Sequence, residues 1–227
     1  MSVTQFQSNH EPSHLESGML DLGREINALV ALSVDALTGQ SLDLTGLPDA
    51  VLAGQVIGIE IERLKRDLQD APPAHDEERA TRTLLQLQQL NEEAAAIGRI
   101  AHRMEGSAYQ RFLLDLPDMA GCVRYMLGAA VEAWVTGDQE LVEMVLLTYG
   151  QVEAFAKQLR ERLQSWMDRE QEPEAGEWAA AMLSVVRHLE KIGGYTVGMA
   201  KISCRKESHE NGAALITERS YRCSCAG

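Results

Sequence analysis

The chain is poor in aromatic residues, in basic residues and in long apolar runs, and each shortage removes a class of function. Phe, Trp and Tyr together make up 5% of its 227 residues. Sheets draw on aromatic and β-branched side chains, whereas this chain is rich in Ala, Leu, Glu, Gln, Arg and Met, which favour helices. Lys and Arg number 21 against 34 Asp and Glu, a formal net charge of −13. Such a surface repels nucleic acid and anionic lipid, so direct binding of either through a basic patch is not expected. No apolar run approaches the roughly 20 residues that span a bilayer, and membrane insertion is not expected. The polar opening MSVTQFQSNHEPSH lacks the apolar stretch of a secretion signal. The four cysteines, Cys122, Cys204, Cys223 and Cys225, are too few and too irregularly spaced for a disulfide framework. A reducing cytoplasm is the expected location.

What is present is repetition. Residues 187–202 read RHLEKIGGYTVGMAKI, and 93–104 read EAAAIGRIAHRM. Ile192, Gly193 and Met199 stand 95 residues after Ile97, Gly98 and Met104. Thr136-Gly137 echoes Thr38-Gly39 at an offset of 98, and Val145-Leu146 echoes Val51-Leu52 at 94. A chain that repeats itself repeats its fold.

The apolar spacing is helical throughout. Leu22, Ile26, Leu29, Val30 and Leu37 make one stripe; Ile57, Ile61, Leu64 and Leu68 a second. The third helix is expected from about Asp76 to Arg111, on Leu87, Leu90, Ala94, Ile97, Ala101 and Met104. Leu42 to Pro48 reads as a linker, and Ala71-Pro72-Pro73 as a stop. Leu116-Pro117-Asp118 reads as the boundary between halves, after which three stripes recur. These run from Met119 to Trp134, from Leu141 to Trp166 and from Met182 to Met199, with a charged turn over 168–176. The fold class that follows is all-α: two tandem antiparallel three-helix bundles. The expected division is a flexible leader over 1–18, bundles over 19–113 and 114–203, and a tail over 204–227. Gly98 and Gly193, mid-helix at equivalent places, predict close helix approach, since each costs about 1 kcal/mol relative to Ala.

The segment Arg187, Leu189, Glu190, Lys191, Ile192, Gly193 resembles the signature helix of the PhoU family, and 135–155 resembles its preceding turn and helix. The likeness covers about 19–203 and is stronger in the second half. It implies a cytoplasmic homodimer that restrains phosphate signalling. The implied partners are the ATPase of a phosphate ABC transporter and a sensor histidine kinase. It also implies multinuclear iron or zinc sites built from carboxylates on adjacent helices. Here those positions fall on Thr148, Tyr149, Glu153, Gly194, Gly198 and Lys201 in the second half. In the first half they fall on about Ala53, Gln55, Ile59, Arg99 and His102. One carboxylate remains, and hard cations need several, so no metal and no cofactor are expected.

Other features are weaker. His102 reads as a bundle-surface or satisfied histidine, His188 as solvent-facing or interfacial, and Glu77, Glu78, Glu92 and Glu93 as solvated helix faces. Cys204, His209, Cys223 and Cys225 match zinc spacings poorly. The methionine stripes read as core filling rather than an adaptable binding face. No nucleophile elbow, phosphate loop or dinucleotide fingerprint occurs, so catalysis is not expected. The reading is a regulatory adaptor that acts by protein binding, with Arg187, Glu190 and Lys191 as its candidate partner-binding residues. A structural or assembly factor for another complex is the alternative.

Overall fold

The computed structural model describes residues 14–38, 47–70, 77–104, 115–169 and 172–203. Six helices follow in order: α1 His14–Thr38, α2 Leu47–Asp70, α3 Glu77–Arg103, α4 Leu116–Thr136, α5 Gln139–Met167 and α6 Pro173–Ser203. No strand occurs among the described residues. The fold class read from the sequence is the one observed.

Several boundaries move, for one reason. Proline lacks an N–H that the first turn of a helix does not need, so it starts helices as readily as it stops them. Leu116-Pro117-Asp118, read as the boundary between halves, forms the first turn of α4. Pro173–Gly176 opens α6 rather than closing a turn, and Leu47-Pro48 belongs to α2 rather than to the linker. Helix α1 begins at His14, inside the stretch expected to be a leader. The proposed end of α3 at Arg111 and the tail residues Cys204, His209, Cys223 and Cys225 lie outside the described residues.

The connection from α4 to α5 shows how sequence sets a turn. Gly137 adopts φ 73°, where a side chain would be strained, and its N–H closes onto Ala133 O at 2.8 Å. Asp138 then caps α5, its side chain accepting from the Glu140 N–H at 2.8 Å.

Each half is a three-helix bundle, and the halves share one core. Leu22, Ile26, Leu87, Leu90, Met126, Val145, Leu189 and Ile192 are all fully buried in a single apolar cluster that runs through all six helices. Helices α1 and α3 of the first bundle pack on α4 and α6 of the second, while α2 and α5 lie outside. Along this seam Gly23 faces Val131, and Asn27 faces Arg124. Gln86 faces Gly198, and Glu93 faces His188 and Lys191. Partner numbers fall as residue numbers rise, so equivalent helices run antiparallel across the seam. Glu93 and His188 are 95 apart, and Asn27 and Arg124 are 97 apart, within one residue of the 95 and 98 offsets of the repeat. A residue that meets its own counterpart between antiparallel helices lies on an approximate two-fold axis. The duplication is therefore folded as a pseudo-dimer within one chain.

Candidate functional site

The signature segment lies in the middle of α6, between α5 on one side and α3 on the other. Leu189 and Ile192 are fully buried and fix the helix in the core. This turns Arg187, Glu190 and Lys191 outward, but to different ends. Glu190 is ion-paired with Arg160 of α5. Lys191 Nζ donates to Glu93 Oε1 of α3 at 2.9 Å. Arg187 is exposed and has no ion pair among the described residues. It lines a surface cleft with Arg160, Gln164 and Asp168.

Glu93 is the hub of the seam. Its side chain is only 12% exposed and its second oxygen meets His188 Nδ1. Expected on a solvated face, it instead fastens the two bundles. The Glu93 hydrogen bond, and then its charge, raise the Lys191 ammonium above its ordinary pKa, against the lowering effects of burial and Arg187. His188 is half-buried at this interface, one of the two places its position beside the stripe allowed. Glu77, Glu78 and Glu92 are exposed, as expected. His102 is exposed on the last turn of α3.

Sequence reasoning placed both mid-helix glycines at close approaches, and both are there. A Cβ on Gly98 would lie 3.2 Å from Ser33 Oγ and 3.7 Å from Ala50 Cβ. One on Gly193 would lie 3.1 Å from the Tyr149 ring. Tyr149 thus occupies the groove between α5 and α6. Burial, then the charges of Glu153 and Glu190, raise its phenol above the ordinary range.

This packing bears on the metal sites that the fold family implies. Where carboxylates would converge in the second bundle, an aromatic ring lies on Gly193 and Gly194, and the Gln86 carboxamide lies on Gly198. Thr148 Oγ1 is turned back to Met144 O at 2.8 Å, and Glu153 is exposed. In the first bundle the positions hold Ala53, an exposed Ile59 and the cationic Arg99. Among the described residues no three His, Cys, Asp or Glu side chains come together. The donor set does not fit a multinuclear cation cluster.

Three contacts escaped sequence reasoning: the Glu93 hub, the Arg162–Asp115 ion pair and the Arg79–Trp134 contact. Arg79 of α3 stacks on the Trp134 ring of α4 at 4.8 Å and donates to its carbonyl, a second fastening of the bundles. Only Glu93 carried a signal, since it stands one repeat offset from His188. The stripe methionines Met119, Met126, Met182 and Met199 are buried, in line with core filling. Met144 is half-buried, its sulfur accepting from Tyr125 at 3.1 Å. No described helix is long and apolar enough to cross a membrane.

Comparison with known proteins bears on this geometry in two ways. Residues 116–203, the span from the start of α4 to the end of α6, match the model of the PhoU domain. The crystal structure of PhoU from Pseudomonas aeruginosa has a similar fold over both bundles, with a TM-score of 0.64. It is 21% identical, and the match covers 83% of this chain and 93% of that one. No curated protein matches the chain.

Proposed function

We propose, from the premise that the chain belongs to the PhoU family, a specific regulatory role. A PhoU-like regulator in general, it acts in this reading on phosphate transport and phosphate-responsive signalling, as a cytoplasmic negative regulator. It does so by binding proteins rather than by catalysis. The observation that carries the reading is the PhoU domain match over the second bundle. The proposed partners are the ATPase of a phosphate transporter and a sensor histidine kinase, and the proposed working form is a homodimer. A rigid helical body regulates a partner only by binding one of its states more tightly than another. Arg187 remains the best of the three candidate contacts, because Glu190 and Lys191 already hold neighbouring helices.

A second reading, a structural or assembly factor outside phosphate control, is favoured by one observation. The groove where the family's metal would bind is filled by Tyr149. Co-purification of the full chain with the transporter ATPase and with the cytosolic part of the kinase separates the readings. Phosphate uptake is measured alongside in cells lacking the protein. Complex formation and raised uptake at high external phosphate are expected. No complex with either partner and unchanged uptake would overturn the regulatory role and leave the assembly reading. Metal content of the dialysed protein gives a separate check, with no stoichiometric iron or zinc expected.

A further inference from the structure

A cleft of about 670 Å³ opens at the carboxyl end of α3, where α2, α3 and α6 meet. That volume suits a small metabolite rather than a single inorganic ion. Arg99 and Arg103 stand one helical turn apart on its wall, and Val51 and Ile100 give it an apolar floor. From the other bundle α6 contributes Ser184 and His188.

The two arginines, like Arg187, differ from the ion-paired arginines of this protein. Arg24, Arg63, Arg82, Arg160 and Arg162 each hold a carboxylate. Arg99 and Arg103 make no ion pair and no side-chain hydrogen bond among the described residues, although acidic side chains outnumber basic ones in the chain. Basic residues in a last turn offset the helix dipole, which accounts for arginines on α3. It does not account for what α6 brings to the same cleft. Glu93 holds His188 at Nδ1, which leaves Nε2 beside Ser184 Oγ at 3.5 Å.

We propose that this cleft binds a small organic phosphate, its phosphate held by Arg99 and Arg103 beside His188, its apolar body lying on Val51 and Ile100. The guanidinium fork suits a phosphate better than any other basic side chain does. The site stands on the cleft alone and does not depend on the regulatory reading above.

Isothermal titration of the full chain with AMP and with phenyl phosphate tests the site. Adenosine and inorganic phosphate serve as the two separated parts. Both organic phosphates should bind, adenosine should not, and inorganic phosphate should bind at least about tenfold more weakly than AMP. Arg99→Ala and Arg103→Ala should each weaken AMP by about tenfold or more, and Arg24→Ala should leave it unchanged. Both cleft arginines are exposed, so the variants should keep the wild-type circular dichroism and melting temperature. Absence of binding by both organic phosphates would overturn the proposal. So would affinity unaltered in both arginine variants, or inorganic phosphate binding as tightly as AMP.

Discussion

The two bundles have the same plan and solve the same packing problem with opposite residues. In the first, small residues face each other: Gly54 of α2 lies against Ala95 of α3, and Gly98 against Ala50. In the second, Gly193 of α6 takes the face of a large ring, Tyr149 of α5. The outer helices are alike in one respect: α2 exposes Leu52, Val56 and Ile59, and α5 exposes Leu146 and Leu147. The repeat thus preserved where helices approach, and left free what fills the approach. Antiparallel packing explains the drift. Residues on the pseudo-two-fold, such as Glu93 and His188, must complement their own counterparts, so identical residues there would place like against like.

The comparison is broken most directly in the core. Leu87→Ala and Leu189→Ala sit in opposite bundles, both fully buried, and each should cost about 2–5 kcal/mol. Because the halves share one core, each should lower a single cooperative unfolding transition. Two separate transitions in thermal or urea unfolding, each sensitive to one substitution, would show that the bundles are independent.

A smaller effect separates the two glycine approaches. The added Cβ of Gly54→Ala would sit 2.8 Å from Ala95 Cβ, a group with no rotamer to give way. Overpacking of about 1–3 kcal/mol there outweighs the helix propensity gained, about 1 kcal/mol. Gly193→Ala meets the Tyr149 ring at 3.1 Å, and a small tilt of that ring relieves it. Denaturant midpoints should therefore fall more for Gly54→Ala than for Gly193→Ala. The reverse order would refute the contrast between a fixed methyl contact and a ring contact.

Next comes the seam itself. Glu93→Gln removes the charge that His188 and Lys191 share, and should destabilise by about 1–2 kcal/mol, the low end for charged hydrogen bonds because Lys191 is screened by solvent. In a double-mutant cycle with His188→Asn, the two losses should be less than additive. Strict additivity would mean the pair does not fasten the bundles.

The smallest effect lies at alkaline pH and belongs to the second bundle. The pKa values of Lys191 and Tyr149 are both raised on folding. A group with a raised folded pKa contributes stability in full below its unfolded pKa. That stability is lost as pH rises past the unfolded value toward the folded one. Both unfolded values lie near 10, so unfolding midpoints should fall above about pH 10. Tyr149→Phe should flatten that fall, and an unchanged alkaline slope would count against the burial of its hydroxyl.

Much of this was legible beforehand. The stripes through Leu22, Ile26 and Leu29, and through Leu189 and Ile192, specified helices because only one period buries them all. Gly98 and Gly193 announced close approach because a mid-helix glycine is otherwise costly. The proline-bearing start at Pro173 was misjudged, since a proline's local signal does not say whether a helix is ending or beginning. Of the signature residues, sequence showed that Arg187, Glu190 and Lys191 face outward, but not that two of them are already engaged.

The amino-acid order alone settled the helical class and the duplication. These depend on periodicity and residue type, which are local. The tertiary structure decided how the halves meet, that Glu93 joins them, and that Arg99 and Arg103 share a cleft with His188. Those are contacts between residues far apart in the chain, and an amphipathic stripe says which face is buried without saying against what.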